Sequence, residues 1–270
     1  MQLRNLFIKS LSPLVICTLA LAPVAFAADT ASLEKIMAGD HRTEASRARD
    51  AHRHPKETLT FFGVQPESTV VEIFPGGGWY TELLAPYLRE NGRYFVAFPA
   101  QATRGLKNFQ DKLAAKPALY DKTKIVPLGA PAAVDIRPES GADFVLTFRN
   151  VHNWIDDDNV DAFMRSFYDA LKPGGVLGLV EHRAKPGSKL KASIDSGYVT
   201  EEYVIKHALM AGFKLDAKAE INANPKDTKD YKKGVWTLPP TLTEGEVDRA
   251  KYLAIGESDR MTLRFVKPVK

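Results

Sequence analysis

The chain alternates short apolar runs with longer segments whose apolar residues recur at helical spacing. Residues 69–74, 94–98, 124–128, 142–148 and 176–180 are brief and nearly all apolar, as strands buried on both faces of a sheet should be. Between them, the segment after residue 78 carries Tyr80, Leu83, Leu84, Tyr87 and Leu88, with Pro86 expected to kink or end its helix. Residues 103–117 read as a charged surface helix, and 160–171 repeat Phe163, Phe167 and Leu171 on one face. Pro173-Gly174-Gly175 predicts a tight turn into the fifth strand. A helix over 199–211, a strand over 213–221 and a closing strand over 261–266 complete the pattern. The expected fold is α/β, a doubly wound, mostly parallel seven-stranded sheet, its last two strands an antiparallel edge pair. No fixed period recurs, which excludes a solenoid.

Residues 30–60 add one or two helices ahead of this core. The expected organisation is a signal peptide at 1–27, a helical segment at 28–62, and an α/β domain at 63–270 with a long insertion near 222–258. The signal reading rests on Arg4 and Lys9, the apolar stretch that follows, and Ala25-Phe26-Ala27 as a small-x-small cleavage site. It predicts an exported protein, periplasmic or secreted, with no stable membrane insertion after cleavage. Cleavage would also remove the single cysteine, Cys17, leaving neither a disulfide nor a thiolate nucleophile. The formal charge of +4 comes partly from lysines spread along the tail. Without a dense basic block or paired stacking aromatics, a nucleic-acid partner is not expected.

The densest signal is the segment VVEIFPGGGWYTELL at 70–84, where a buried strand runs into a side-chain-free turn and then a helix. Such a turn lets helix N–H groups face a small ligand. The phosphate-binding motif Gly-x-x-x-x-Gly-Lys-Ser/Thr is absent, and Gly76-Gly77-Gly78-Trp79-Tyr80-Thr81 lacks the third glycine of a dinucleotide site. Glu72, inside the strand, needs a partner to be tolerated there. It can shape the loop by accepting its N–H groups, meet a ligand's ammonium group, or serve a purely structural role.

In these residues the chain resembles the class I S-adenosylmethionine-dependent methyltransferases, whose first motif runs acidic-x-Gly-x-Gly-x-Gly. Glu72, Gly76 and Gly78 match it, while Phe74 replaces its first glycine. Ala142-Asp143-Phe144-Val145 and Leu171-Lys172-Pro173-Gly174-Gly175 extend the likeness, which is strongest to a subgroup of predicted exported methyltransferases with the FPGGGWYTE form. The resemblance implies the Rossmann-like fold of that class, S-adenosyl-L-methionine as cofactor, and methyl transfer to a small molecule. It implies cofactor contacts from Glu72, Pro75, Gly76, Gly77, Gly78, Tyr80, Asn150 and the position of Phe98. At that last position the family carries an acid for the ribose hydroxyls, and here only a backbone group or Gln101 could substitute. The alternative is a non-catalytic small-ligand-binding protein of the cell envelope that retains the fold.

Candidate chemistry clusters after the fourth strand, at the carboxyl edge where open α/β sheets bind ligands. His152 can remove a proton near neutral pH or simply hold its loop, and Asn150 can orient a polar group. Trp154 is a substrate wall or a packing anchor. Asp156-Asp157-Asp158 reads as a helix start, with Mg²⁺ binding a minor idea. Glu181-His182-Arg183, after the fifth strand, offers substrate contacts through His182 and Arg183 or an ion-pair network. Arg53-His54-Pro55 with Glu57 reads as a cap over the pocket or as helix capping and surface pairing, and Asp195 to Tyr198 with Tyr231 as a completion of the acceptor side. The histidines show no compact zinc spacing, so no metal is expected.

Overall fold

The computed structural model describes residues 30–99, 103–128, 137–155 and 159–269. The expected signal peptide, Gln101 and Asp156-Asp157-Asp158 lie outside them. Four helices lead: α1 (Thr30–Met37), α2 (Glu44–Ala48), α3 (Asp50–Arg53) and α4 (Pro55–Phe62). Then come β1 (Thr69–Ile73), α5 (Thr81–Leu88), β2 (Arg93–Pro99), α6 (Thr103–Ala115), α7 (Pro117–Tyr120), β3 (Lys124–Leu128) and β4 (Ala142–Phe148). The second half runs α8 (Val151–Ile155), α9 (Val160–Ala170), β5 (Leu171–His182), α10 (Leu190–Ser196), α11 (Glu201–Ala211) and β6 (Lys214–Ala219). A 3₁₀ turn at Gly234–Thr237, α12 (Arg249–Ile255) and β7 (Arg260–Val266) close the chain.

The seven strands form one sheet in the order β3-β2-β1-β4-β5-β7-β6. It is mixed: β7 runs antiparallel between β5 and β6, while β1 to β5 pair in parallel. The order reverses between β1 and β4, and that switch point opens a crevice at the carboxyl ends of the strands. Side chains alternate across the sheet, so Val71, Ile73 and Val145 join α9 on one face. Val70, Val96 and Leu146 join α4 and α5 on the other. Phe167, fully buried in the first layer, contributes about 2–3 kcal/mol of apolar burial.

One local outcome differs from the sequence expectation. Lys172-Pro173-Gly174-Gly175 lies inside β5 as an irregularity, its register against β4 shifting between Ala142 and Phe144, instead of forming a turn before the strand. The chain bulges there because Gly174 takes φ +80°. Gly178 further along β5 has a packing reason: a Cβ there would stand 2.7 Å from both Phe62 and Leu146.

The N-terminal helices are tied to one another and to the turn after β1 by polar contacts. Arg42, fully buried, gives two parallel 2.7 Å bonds to Asp50 and one to the Met37 carbonyl. Trp79 donates its indole N–H to the Ser46 carbonyl at 3.0 Å, and the Arg53 guanidinium lies 4.5 Å over the Trp79 ring. These contacts carry α2 and α3 over the crevice.

Candidate active site

At the end of β1 the backbone turns sharply. Phe74 takes φ +42°, Gly76 +57° and Gly78 +75°, and α5 begins three residues later. A Cβ added at Gly76 or Gly77 would meet nothing within 4 Å, so these two present bare backbone to open space. Gly78 differs, since a Cβ there would sit 2.9 Å from Phe109. Lys112 of α6 clamps the turn by donating to the Gly77 carbonyl at 2.8 Å and the Gly78 carbonyl at 3.2 Å.

Glu72 is buried one strand position before the bend. Its carboxyl accepts hydrogen bonds from the Tyr94 hydroxyl and from Thr81 Oγ1, not from the glycine N–H groups. Burial outweighs these bonds and pushes its pKa up to about 7, so near neutral pH it is about half protonated. Phe98, where the family's acid would stand, is buried, edge-on to Phe74 with centroids 5.4 Å apart and against Phe109 at 5.5 Å.

The end of β4 supplies the opposite wall. Phe148 stacks on Tyr80 with ring centroids 3.6 Å apart. Asn150 donates to the Ile73 carbonyl at 2.8 Å and to Thr147 Oγ1 at 3.2 Å, tying the ends of β1 and β4 together. Between the two walls and under α2 and α3 lies a cavity of about 410 Å³. Of the residues singled out from sequence, Glu72, Pro75, Gly76, Gly77, Tyr80 and Asn150 line it, and Gly78 and Phe98 do not. Arg49, Arg53, Arg149 and Asn153 also line it. Arg53 matches the expected cap, whereas Arg49 and Arg149 carried no sequence signal.

His152 stands beside this cavity and is not among its lining residues. Its Nδ1 pairs with Glu181 Oε1 at 3.0 Å, and the fully buried Glu181 also accepts the N–H groups of Val151 at 2.6 Å and His182 at 2.8 Å. His182 Nδ1 meets Ser258 Oγ at 2.6 Å, and the two imidazoles are 5.3 Å apart. Ligand-capable atoms of His152, Glu181 and His182 thus gather within 4.8 Å, a convergence invisible in the sequence spacing. The carboxylate and both Nδ1 atoms are already engaged, so the cluster is a hydrogen-bonded network first. Burial and neighbouring cationic groups hold His182 well below the usual imidazole range.

Three expected acceptor contacts serve elsewhere. Trp154 is buried against Phe163, with centroids 4.5 Å apart, and anchors α8 to α9. Arg183 binds Asp259, Glu220 and Glu201 in an ion-pair network. The Tyr198 hydroxyl donates to both Asp227 oxygens at 2.9 Å, fastening the excursion after β6.

The roof of the cavity is strongly cationic. Arg49, Arg53 and Arg260 all converge on one carboxylate, Glu257, the first at 2.6 Å and the second at 3.3 Å. These cations hold the Glu257 carboxyl well below the usual range despite its burial. Arg149 belongs to the same field: burial and repulsion from Arg260 and Arg49 lower its pKa, and Glu257 opposes them.

Comparison with protein families finds no match along the chain, and comparison with curated proteins finds none. Solved structures do resemble it. A S-adenosylmethionine-dependent methyltransferase from Aquifex aeolicus superposes with a TM-score of 0.55 at 14% identity, covering 88% of this chain and 98% of its own. A putative sarcosine dimethylglycine methyltransferase from Galdieria sulphuraria gives 0.56 at 14% identity, covering 84% and 87%. The cyclase SpnF gives 0.56 at 17% identity, covering 86% of each chain. The chain has the fold of the class I methyltransferases. The cyclase among its neighbours makes the reaction a matter for the site itself.

Proposed function

We propose that the protein binds S-adenosylmethionine in the cavity at the ends of β1 and β4 and transfers its methyl group to a small molecule. One observation carries this reading: the bare Gly76–Gly77 backbone, the Glu72 carboxyl and Asn150 converge on a single cavity at the switch point of this fold. The residues present suit the amino-acid end of the cofactor. Glu72 would meet its ammonium group, and Arg49 or Arg53 its carboxylate. The ribose end is less typical, because Phe98 puts a ring where a carboxylate would take both hydroxyls. β2 thus offers those hydroxyls no carboxylate.

Bound there, the cofactor supplies a methyl group on a cationic sulfur, open to displacement in line. The protein's own task is to orient the acceptor and take its proton. His152 is the base of this proposal: Glu181 holds Nδ1 and leaves Nε2 to accept a proton from an acceptor that reaches past Asn153. The amino-terminal segment supports export, so the enzyme would work in the periplasm or beyond, as in the exported subgroup it resembles.

Calorimetric titration of the purified protein with S-adenosylmethionine and its demethylated product tests this reading. Saturable binding is expected, weakened about tenfold or more in Glu72→Ala by loss of a charged hydrogen bond. Absence of heat at millimolar ligand would remove the cofactor. A second reading, a ligand-binding envelope protein without catalysis, is favoured by one observation, the Phe74–Phe98 ring contact at the ribose position.

A further inference from the structure

We infer that the acceptor side of the cavity takes an anionic small molecule, a carboxylate or a phosphate monoester, and that Arg149 receives its charge. The inference rests on the reading of this cavity given above and concerns its second ligand. Arg149 immediately follows β4 in a left-handed conformation, φ +60°, which L side chains adopt only under strain. Its main-chain N–H donates to the Val180 carbonyl at 2.7 Å, fixing the side chain in the cavity wall.

The guanidinium has no hydrogen-bond or ion-pair partner among the described residues. Every neighbour in the cationic roof differs in this respect: Arg49, Arg53 and Arg260 each bond Glu257. Glu72 does not act as the missing partner. Its carboxyl is engaged by Tyr94 and Thr81 and forms no ion pair with Arg149, whose charge favours the Glu72 carboxylate only from beyond contact distance. Desolvation and repulsion from Arg260 and Arg49, only partly offset by the attraction of Glu257, lower Arg149 itself to about 10, so it stays charged at neutral pH. A buried cation held in a strained conformation, with no carboxylate in ion-pair contact among the described residues, is a site prepared for an anion.

S-adenosylmethionine cannot fill that role. Its one carboxylate is already given to Arg49 or Arg53, and its ammonium and sulfonium bring positive charge into a cavity lined by Arg49, Arg53, Arg149 and Lys112 against Glu72 and Glu82, of which Lys112 and Glu82 pair with each other. The acceptor must bring the balance. The same wall carries Phe74, Tyr80 and Phe148, so an oxyanion borne on an aromatic ring matches both charge and surface.

The probes are benzoate and phenyl phosphate, with benzamide as the neutral isostere, titrated into the protein with and without S-adenosylmethionine. Either anion is expected to bind at least tenfold more tightly than benzamide. Arg149→Met should abolish that preference, Arg149→Lys should keep part of it, and both should bind S-adenosylmethionine as the unaltered protein does. Equal binding of anion and benzamide overturns the proposal. So does an Arg149→Met variant that keeps its anion preference, or one that loses S-adenosylmethionine, since Arg149 would then serve the cofactor. Anion binding by Arg149 without any S-adenosylmethionine binding would sustain the oxyanion site and sink the cofactor reading instead. Phenyl phosphate against benzoate then tells which oxyanion is preferred.

Discussion

Replacing Glu72 by Gln should make the empty protein more stable at alkaline pH and no more stable in acid. The folded environment raises the Glu72 pKa from 4.5 to about 7, chiefly through desolvation. A carboxyl that prefers its proton when folded lends stability that is fully present below 4.5 and lost as the pH climbs through 7. At about 1.4 kcal/mol per pH unit, that difference is worth about 3 kcal/mol by pH 8. Gln keeps an oxygen for the Tyr94 and Thr81 hydroxyls, so the hydrogen bonds survive while the titration disappears. Urea unfolding of both proteins at pH 5 and pH 8 reads the effect. The unaltered protein should lose about 2 kcal/mol relative to Glu72→Gln between those conditions. Equal pH dependence in the two proteins would show that Glu72 is solvated or paired, and would remove the charge argument for its role in the cavity.

The glycine turn separates space from strain. Gly77→Val should fold normally and lose ligand binding, because its side chain enters open cavity, whereas Gly78→Ala should lower the melting temperature by meeting Phe109. Thermal melts paired with calorimetry distinguish them, and a stable Gly77→Val with unchanged binding would place the ligand elsewhere. Glu257→Gln leaves three guanidinium groups without their common counter-ion and should cost about 3–5 kcal/mol in urea unfolding near neutral pH. Its depressed pKa means the stabilisation stands above the unfolded carboxyl range and fades only in strong acid.

The sheet was legible because buried parallel strands write themselves as short apolar runs, and β1, β3 and β4 fall within a residue of those runs. The turn expected at Pro173-Gly174-Gly175 became a bulge, since pairing with Ala142 on β4 continues the ladder backward to Leu171. The glycine turn and Asn150 were legible because motif residues there are contiguous. Arg149 was not: its left-handed backbone and lack of a partner are properties of the assembled walls, and within Phe148-Arg149-Asn150 it looks like any loop cation. Glu257 and Arg49 are also unreadable as a pair, standing 208 residues apart. Trp154 showed the reverse problem, an aromatic beside candidate chemistry whose ring turns inward to Phe163.

The bond from Glu257 to Arg49 and Arg53 has a consequence for the order of assembly. The helices made first depend on a carboxylate made almost last, so the roof closes only after β7 reaches its slot between β5 and β6. A chain ending before residue 257 would keep the glycine turn, all five parallel strands and the Trp79 contacts, yet Arg49 and Arg53 would lose their shared carboxylate and the sheet would lose β7. Ligand capture therefore leans on the finished polypeptide, and loss of β7 with Glu257 would loosen a site built mainly in the first half of the chain.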